Sequence, residues 1–431
     1  MTTARPAADR LAPLPDELPA VELVARMPAG FRAGATTAGI KASGALDLGV
    51  LATTGGPASA AATFTTNRVQ AAPVRLSRSH LEATGGRVSG VLSTSGCANA
   101  ATGPDGDRDH VALADALAGA LDVAPDQTLA LSTGLIGSRL PIDAIRPALD
   151  RLVSGGLSTE DDGLATIAEQ LRTTDSRPKA ASVRITPTGP DGRALVTVSG
   201  VAKGVGMIHP RMATMLALVL TDAVVAPATL RAVLAPVVER TWNQLTVDGD
   251  TSTNDTVFLL ASGAAGGLPI EPGSEGFATF AGAVEAVARS LARQQAADGE
   301  GASTLITCQV SGAPDGAQAR AVAREVVRSS LVKAAVHGRD PNWGRIAAAA
   351  GNADVHGRPV PLETDRLAIG IAGVAVFDGA PLPFDRGALS RAMDAAEVLI
   401  RLDLGLGDGR GEAFGCDLTE QYVLENSAYS T

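Results

Sequence analysis

The chain of 431 residues carries 36 Lys and Arg against 46 Asp and Glu, a net charge of -10, and only 3% of its residues are aromatic. Such a protein is a poor candidate for nucleic-acid binding, because phosphates need basic patches and unpaired bases need stacking rings. The hydrophobic share of 45% is typical of a folded protein with an ample core and excludes a disordered chain.

Short apolar runs alternate with amphipathic stretches along most of the chain. Residues 1–25 lack the basic-then-apolar order of a signal peptide and are predicted to be a flexible tail. Strands are predicted at 90–95, 128–132, 182–186, 194–198, 214–221, 256–262, 304–310 and 367–377. Helices are predicted at 142–153, 164–172, 229–244, 282–295, 317–335 and 388–397.

Several of these strands are wholly apolar, so both faces of their sheet should be covered. The predicted fold class is therefore α/β (α+β), with stacked β-sheets covered by helices in an αββα-like sandwich and a smaller C-terminal α/β lobe. Cys97, Cys308 and Cys416 form no paired motif and fit a reducing cytoplasm. No run of about 18 uncharged apolar residues predicts a membrane span.

Common catalytic signatures are missing from the sequence. It contains no Gly-Lys pair for a P-loop, no G-x-S-x-G elbow and no H-E-x-x-H helix, and its five histidines are far apart. Gly204-Val205-Gly206 lacks the third glycine of a dinucleotide fingerprint. We therefore expect neither a nucleotide cofactor nor a metal.

One segment, V-A-K-G-V-G-M-I-H-P-R-M-A-T-M-L-A-L-V-L-T-D-A at 201–223, allows two interpretations. It is either a Gly/Pro loop that leads into a buried strand or a self-cleaving site. In the second case the hydroxyl of Thr214 attacks the carbonyl of Ala213, and Thr214 becomes a new N-terminus. The freed α-amine, with a reference pKa of about 8, could then serve as the base that a hydroxyl nucleophile needs.

The segment resembles the self-cleaving site of the ornithine acetyltransferases, also called glutamate N-acetyltransferases. Other segments from about residue 30 to residue 431 resemble that family in the same order. They read A-G-I-K-A-S-G-A-L-D-L at 38–48, L-S-T-G-L-I-G at 131–137, T-T-D-S-R-P-K at 173–179, D-G-D-T-S-T-N-D-T at 248–256, D-G-E-G-A at 298–302 and H-G-R-D-P-N-W-G-R-I at 337–346. Together these motifs are highly specific.

The resemblance implies a role for each matching residue. Thr214 would carry the acetyl group as an ester between two half-reactions, and Thr133 with Gly134 would form the oxyanion hole. Lys203, one of only four lysines, would bind the substrate α-carboxylate, and Glu300 would pair with a substrate amine. Further substrate contacts are expected from Thr173, Thr174, Asn426 and Thr431.

The resemblance also implies a division of the chain. After the flexible tail of 1–25, an alpha chain of 26–213 and a beta chain of 214–431 would share one core and associate, as a higher oligomer of such heterodimers. The small-molecule substrates would be N2-acetylornithine and glutamate, with no cofactor. Some members of the family also accept acetyl-CoA.

A few positions depart from the family pattern, and they leave the identity of the acetyl acceptor open. Cys97 and Ala101 stand where Asn and Cys are usual, and Ser303-Thr304 stands where Thr-Lys is common. A relative acting on another N-acyl amino acid in specialised metabolism therefore stays an alternative. Two further alternatives remain. One is a self-cleaving amidase or aminopeptidase that uses water as the acceptor, and the other is an uncleaved non-enzymatic relative. The cluster Asp340, Asn342, Trp343 and Arg345 is at least as well explained by packing as by catalysis.

Overall fold

The computed structural model describes residues 7–14, 17–186, 195–209 and 215–428. The strands are β1 (Phe31–Thr36), β2 (Leu48–Thr53), β3 (Ala58–Phe64), β4 (Arg87–Val88), β5 (Gly90–Cys97), β6 (Thr128–Leu135), β7 (Lys179–Ile185), β8 (Val196–Lys203), β9 (Leu216–Val225), β10 (Thr256–Ile270), β11 (Leu305–Ala313), β12 (Asp354–Val355), β13 (Arg358–Pro359), β14 (Ala368–Ile371), β15 (Val374–Asp378), β16 (Glu397–Asp403) and β17 (Gly409–Cys416).

The α-helices are α1 (Ala7–Arg10), α2 (Ala72–Ala83), α3 (Gly103–Leu121), α4 (Ile142–Gly155), α5 (Asp161–Leu171), α6 (Pro227–Arg240), α7 (Glu275–Ala297), α8 (Gly316–Arg328), α9 (Ser330–His337), α10 (Trp343–Ala350), α11 (Arg386–Ala392) and α12 (Glu420–Ala428). Within the described ranges, none of these helices combines the length and the apolar composition needed to cross a membrane.

Two predicted elements are each divided in the structure. The strand expected at 367–377 is the hairpin β14–β15, because Ala372 and Gly373 both have positive φ, at 46° and 82°. The helix expected at 317–335 is α8 and α9, because Ser329 has a β-region backbone, with ψ of 116°. Its hydroxyl accepts the N–H of Val332 and so begins a second helix.

The chain divides into two compact units, of which the larger takes the described residues of 18–243 and 250–291. It contains a four-stranded sheet of order β1-β2-β5-β6 and a six-stranded sheet of order β4-β3-β10-β9-β8-β7. In the larger sheet, β9 pairs antiparallel with β8 and parallel with β10. The neighbours of β9 therefore come from both sides of residue 214.

The main core of this unit is buried between the two sheets. It is built from alternate residues of β9, Leu216, Leu218 and Leu220, packed with Leu129 and Leu131 of β6. On the other face of the four-stranded sheet, leucines and valines of β2 and β5 pack on α3 and α4. Helix α7 covers the outer face of the six-stranded sheet, where Val287 and Leu291 lie against Gly200. This four-layer arrangement confirms the predicted αββα sandwich.

The smaller unit takes the described residues of 1–17, 244–249 and 292–428. Its five-stranded sheet has the order β15-β14-β16-β11-β17 and carries a separate core formed with α8, α9 and α10. The predicted smaller α/β lobe is confirmed.

The described residues among 1–17 belong to this smaller unit. Arg10 forms ion pairs with Asp378 at 2.8 Å and Asp403 at 3.0 Å, and Leu11 is buried. These contacts attach α1 to the sheet of this unit, and the flexible tail over 1–25 stays a prediction.

Candidate functional site

Thr133 and Gly134 lie near the end of β6, where its pairing with β5 is irregular. Gly134 has φ of +123°, and a Cβ there would lie 2.3 Å from the carbonyl carbon of Gly96. Only glycine can occupy such a position, because the φ is unfavourable for other residues and the space is filled by backbone. The S-T-G motif therefore has a strict backbone requirement.

A buried polar network lies behind this strand end. Ser132 Oγ is 2.7 Å from Thr94 Oγ1 and 3.0 Å from His110 Nε2. His110 Nδ1 is 2.6 Å from the side-chain nitrogen of Asn99, which also donates to the carbonyl of Gly106. Because an amide nitrogen only donates, His110 accepts at Nδ1 and donates from Nε2 to Ser132.

His110 is neutral in this network. Burial lowers its pKa to about 4, and only 1% of the residue is exposed. Neither His110 nor Ser132 was identified from the sequence, because they are far apart in the chain. The one available signal was that His110 shares the buried face of α3 with Leu113 and Leu117.

Asn254 connects the same strand ends to the motif at 248–256. Its side-chain nitrogen donates to the carbonyls of Ala98 at 2.7 Å and Ser132 at 2.8 Å. Its oxygen accepts from Thr253 Oγ1 at 2.7 Å. The D-G-D-T-S-T-N-D-T motif therefore fixes the backbone that immediately precedes Thr133.

Lys203, at the end of β8, lies next to the proposed oxyanion hole. Its ammonium donates to Thr133 Oγ1 at 3.2 Å, and only 9% of the residue is exposed. The structure thus brings together two residues that the sequence analysis assigned to different roles. A buried ammonium beside a hydroxyl can attract and hold an anionic group.

The T-T-D-S-R-P-K motif lies beside Lys203. Thr173 is half-buried and its N–H donates to Asp175 Oδ2 at 3.1 Å, whereas Thr174 is exposed. Three of the predicted site residues, Ala213, Thr214 and Thr431, lie outside the described residues. Strand β9 begins at Leu216, two residues after Thr214.

The smaller unit places Glu300 and Asn426 in direct contact. The side-chain nitrogen of Asn426 donates to Glu300 Oε2 at 3.0 Å. Between them the chain packs closely, since a Cβ on Gly301 would lie 2.3 Å from the backbone nitrogen of Tyr422. Glu300 is half-buried and Asn426 is exposed, so this pair is open to solvent.

Asp417 anchors the loop that carries Glu300. It accepts the N–H of Ser303 at 2.8 Å, the hydroxyl of Ser303 at 2.6 Å and the N–H of Thr304 at 2.9 Å. His337 Nδ1 lies 3.1 Å from the same carboxylate. The departures Ser303 and Thr304 are thus part of a backbone anchor, and His337 supports it.

The cluster around Trp343 is structural. Asn342 caps α10 by accepting the N–H of Arg345, and its amide donates to Asp340 at 3.0 Å. Trp343 lies against Phe377, with ring centroids 5.0 Å apart, and packs on the core of the smaller unit. Among the residues that the structure describes, no group of three or more His, Cys, Asp or Glu could hold a metal ion.

Comparisons with known proteins cover nearly the whole chain. The model of the ArgJ family matches residues 32–431. The arginine biosynthesis bifunctional protein ArgJ of Thermus thermophilus is 45% identical over 409 residues, which are 95% of this chain and 100% of the relative. Its namesake from Thermosynechococcus vestitus is 44% identical over 93% of this chain and 96% of the relative. A solved ornithine acetyltransferase from Mycobacterium tuberculosis, complexed with ornithine, is 39% identical, with a TM-score of 0.41, and covers 45% of this chain and 100% of its own.

Proposed function

The chain belongs to the ArgJ family and is an acyltransferase, and we propose that it moves acetyl from N2-acetylornithine to glutamate. The products would be ornithine and N-acetylglutamate. The observation that carries the proposal is the hydrogen bond from Lys203 to Thr133 at 3.2 Å. It joins the residue expected to bind the α-carboxylate of both substrates to the residue expected to stabilise the reacting carbonyl.

The proposed reaction has two half-reactions. Thr214 Oγ attacks the acetyl carbonyl, its proton passes to the Thr214 α-amine, and an oxyanion forms against the Thr133 hydroxyl and the Gly134 N–H. The C–N bond then breaks, the amine returns the proton to the leaving nitrogen of ornithine, and acetyl stays on Thr214 as an ester. The amine of glutamate attacks this ester and gives a proton to the Thr214 α-amine, which returns it to Thr214 Oγ as the C–O bond breaks.

Self-cleavage at Ala213–Thr214 would precede this chemistry. It would leave one polypeptide with the tail of 1–25 and the alpha chain of 26–213, and a second polypeptide, the beta chain of 214–431. Their association is supported by the six-stranded sheet, in which β9 and β10 of the second half pair with β8 and β3 of the first. We propose that the two chains share one core, that the heterodimers assemble further, and that the enzyme acts in the cytoplasm.

In the same proposal Glu300 and Asn426 bind the ornithine side-chain amine. The contact between them, at 3.0 Å, supports a common role. Thr173, Thr174 and Thr431 complete the substrate contacts, with Thr173 the better-placed of the two adjacent threonines because it is half-buried.

The decisive experiment is intact mass and N-terminal sequencing of the purified enzyme, followed by addition of acetylornithine. We expect two chains, the second beginning at Thr214 and gaining one acetyl group. Thr214→Ala should abolish both cleavage and turnover, and Thr214→Ser, which keeps a hydroxyl, should retain part of each. An active enzyme with only the unbroken chain and no acetyl adduct would refute the mechanism.

The same preparation separates the alternative functions. Acetate release that does not depend on glutamate would indicate an amidase. Acetyl transfer to a different amine would indicate a specialised relative. An assay with acetyl-CoA as donor decides whether the enzyme also makes N-acetylglutamate directly.

A further inference from the structure

Asp175 is a buried carboxylate that no step of the proposed reaction uses. It is 4% exposed and lies in the loop between α5 and β7. Its Oδ1 accepts from Lys179 Nζ at 2.7 Å and from the N–H of Gly204 at 2.9 Å. Its Oδ2 accepts from the N–H of Thr173. One side chain therefore connects the Thr173 loop to the residue that follows Lys203.

The charges around Asp175 are unusual for a protein interior. Lys179 is 0% exposed and Lys203 is 9% exposed, so two ammonium groups are withdrawn from water beside one carboxylate. Burial by itself would raise the pKa of Asp175, but the charges of Lys203 and Lys179 hold it at about 2. Asp175 is thus ionised at every physiological pH.

More positive charge lies close by. Burial lowers the pKa of Lys41, and the charges of Lys203 and Arg172 lower it further. The carboxylates of Asp47 and Glu169 act in the opposite direction. Lys41 is held by the carbonyls of Leu46 and Gln170, at 2.8 Å and 3.1 Å. Without the carboxylate of Asp175, Lys203 would face Lys179 and Lys41 in a region of low dielectric constant, where like charges repel strongly.

We propose that Asp175 is a positioning residue that keeps Lys203 charged and directed at Thr133. Its carboxylate holds Lys179 and the backbone of Gly204, and thereby fixes the end of β8 from which Lys203 extends. The inference rests on the proposed function in one respect, namely that Lys203 binds the carboxylate of the substrate. Asp175 is proposed to act through Lys203 and not on the ligand itself, because only 4% of the residue is exposed and its oxygens accept protein donors.

The scarcity of lysine makes a direct test feasible. The chain has only four lysines, Lys41, Lys179, Lys203 and Lys333, so the protein labelled with 13C at lysine Cε gives four side-chain NMR signals. Single Lys→Arg variants assign them. We expect D175N to lower the pKa of Lys203 by about one unit or more, because the Lys203 ammonium then lacks the opposite charge of Asp175. An unchanged Lys203 titration would overturn the proposal.

A second variant gives the opposite sign and serves if D175N folds poorly. K179M removes the second ammonium beside Asp175. The carboxylate then interacts with the charge of Lys203 alone, so the pKa of Lys203 should rise. In the double variant D175N/K179M, loss of the neighbouring ammonium should return the pKa of Lys203 part of the way to its wild-type value, whereas a purely structural disturbance by D175N predicts no such return. Asp222→Asn is the matched control: Asp222 is 6% exposed and accepts the backbone N–H of Thr197 and Ala29.

Kinetics complete the test. In D175N the KM for acetylornithine should rise about tenfold, with a smaller fall in kcat, and should rise further with pH as Lys203 loses its proton. The NMR titration does not depend on acyl transfer. An inactive wild-type enzyme would therefore refute the proposed function alone, and an active enzyme with an unmoved Lys203 in D175N would refute only the role of Asp175.

Discussion

Two groups of residues are proposed to bind substrate, one in each compact unit, and they are built differently. Lys203 and its partners are withdrawn from solvent, with Asp175, Lys179 and Lys203 all less than 10% exposed. Glu300 and Asn426 meet in a contact open to water, and their positions depend on a backbone anchored at Asp417. Around Lys203 the contacts hold buried charged groups in place. Around Glu300 they hold the backbone of a loop.

This difference bears on how the two proposed substrates, whose side chains differ, would both be accepted. Ornithine and glutamate share an α-carboxylate, which a rigid, desolvated cation recognises strongly. Their side chains carry opposite charges, and a rigid buried acid would reject one of them. A half-buried acid on a loop would discriminate less between them, because a partly exposed ion pair contributes less than a buried one.

The largest effect is expected at the proposed oxyanion hole, in the same unit as Lys203. Thr133→Val keeps the shape of the side chain but removes its hydroxyl, so kcat should fall about 10²–10³-fold with a smaller change in KM. Steady-state kinetics with acetylornithine and glutamate measure this. Thr133→Ser, which keeps the hydroxyl, is the control, and a kcat for Thr133→Val equal to the wild-type value would contradict the assignment.

The next effect concerns stability and pH. Burial holds the pKa of His110 at about 4, below its ordinary value of 6.5. Between these pH values the unfolded chain binds a proton that the folded chain does not, so stability falls as pH falls. We expect about 3 kcal/mol of the free energy of unfolding to be lost from about pH 7 to about pH 4. In His110→Gln this part of the pH dependence should be absent.

Tryptophan fluorescence can follow the unfolding of the larger unit in urea. In a Trp343→Phe background the remaining signal comes from Trp242, which is 0% exposed and lies in the same unit as His110. His356→Gln, at an exposed position, should keep the wild-type pH dependence. A His110→Gln protein that loses stability with acid as steeply as wild type would show that His110 is not held neutral.

The smallest expected effect compares the two regions directly. Lys203→Met should raise the KM for acetylornithine about 10–100-fold, because it removes a buried charged hydrogen-bond donor. Glu300→Gln should raise it less than about fivefold, since exposed pairs contribute at most about 1 kcal/mol. Added salt should diminish the Glu300 effect and leave the Lys203 effect nearly unchanged. Equal losses in both variants would contradict the difference between the two regions.

The sequence predicted the elements whose apolar pattern is strong. β5 and β6, α4 and β11 lie close to their predicted bounds. β3, A-S-A-A-A-T-F, was missed because alanine favours helices, yet pairing with β4 and β10 makes it a strand. The helix predicted at 388–397 ends at Ala392, and Glu397 begins β16, an unpredicted strand.

The site was predictable only in part, because motifs identify residues but do not show which distant residues they contact. Motifs identified Thr133, Lys203 and Glu300, but composition and spacing could not show that Lys203 reaches Thr133. Asp175 and His110 act through partners far away in the chain, such as Gly204 and Ser132. Such long-range hydrogen bonds depend on the pairing of strands, which no local pattern specifies.

The strand order β3-β10-β9-β8 has a consequence for how such a protein can be encoded. The outer two of these four strands are translated before codon 214, and the inner two after it. A gene divided at that codon would yield two polypeptides whose strands interleave, and neither product could complete its sheet by itself. Production from two genes would therefore require co-expression, and refolding of separately purified halves should succeed only when they are mixed in denaturant first.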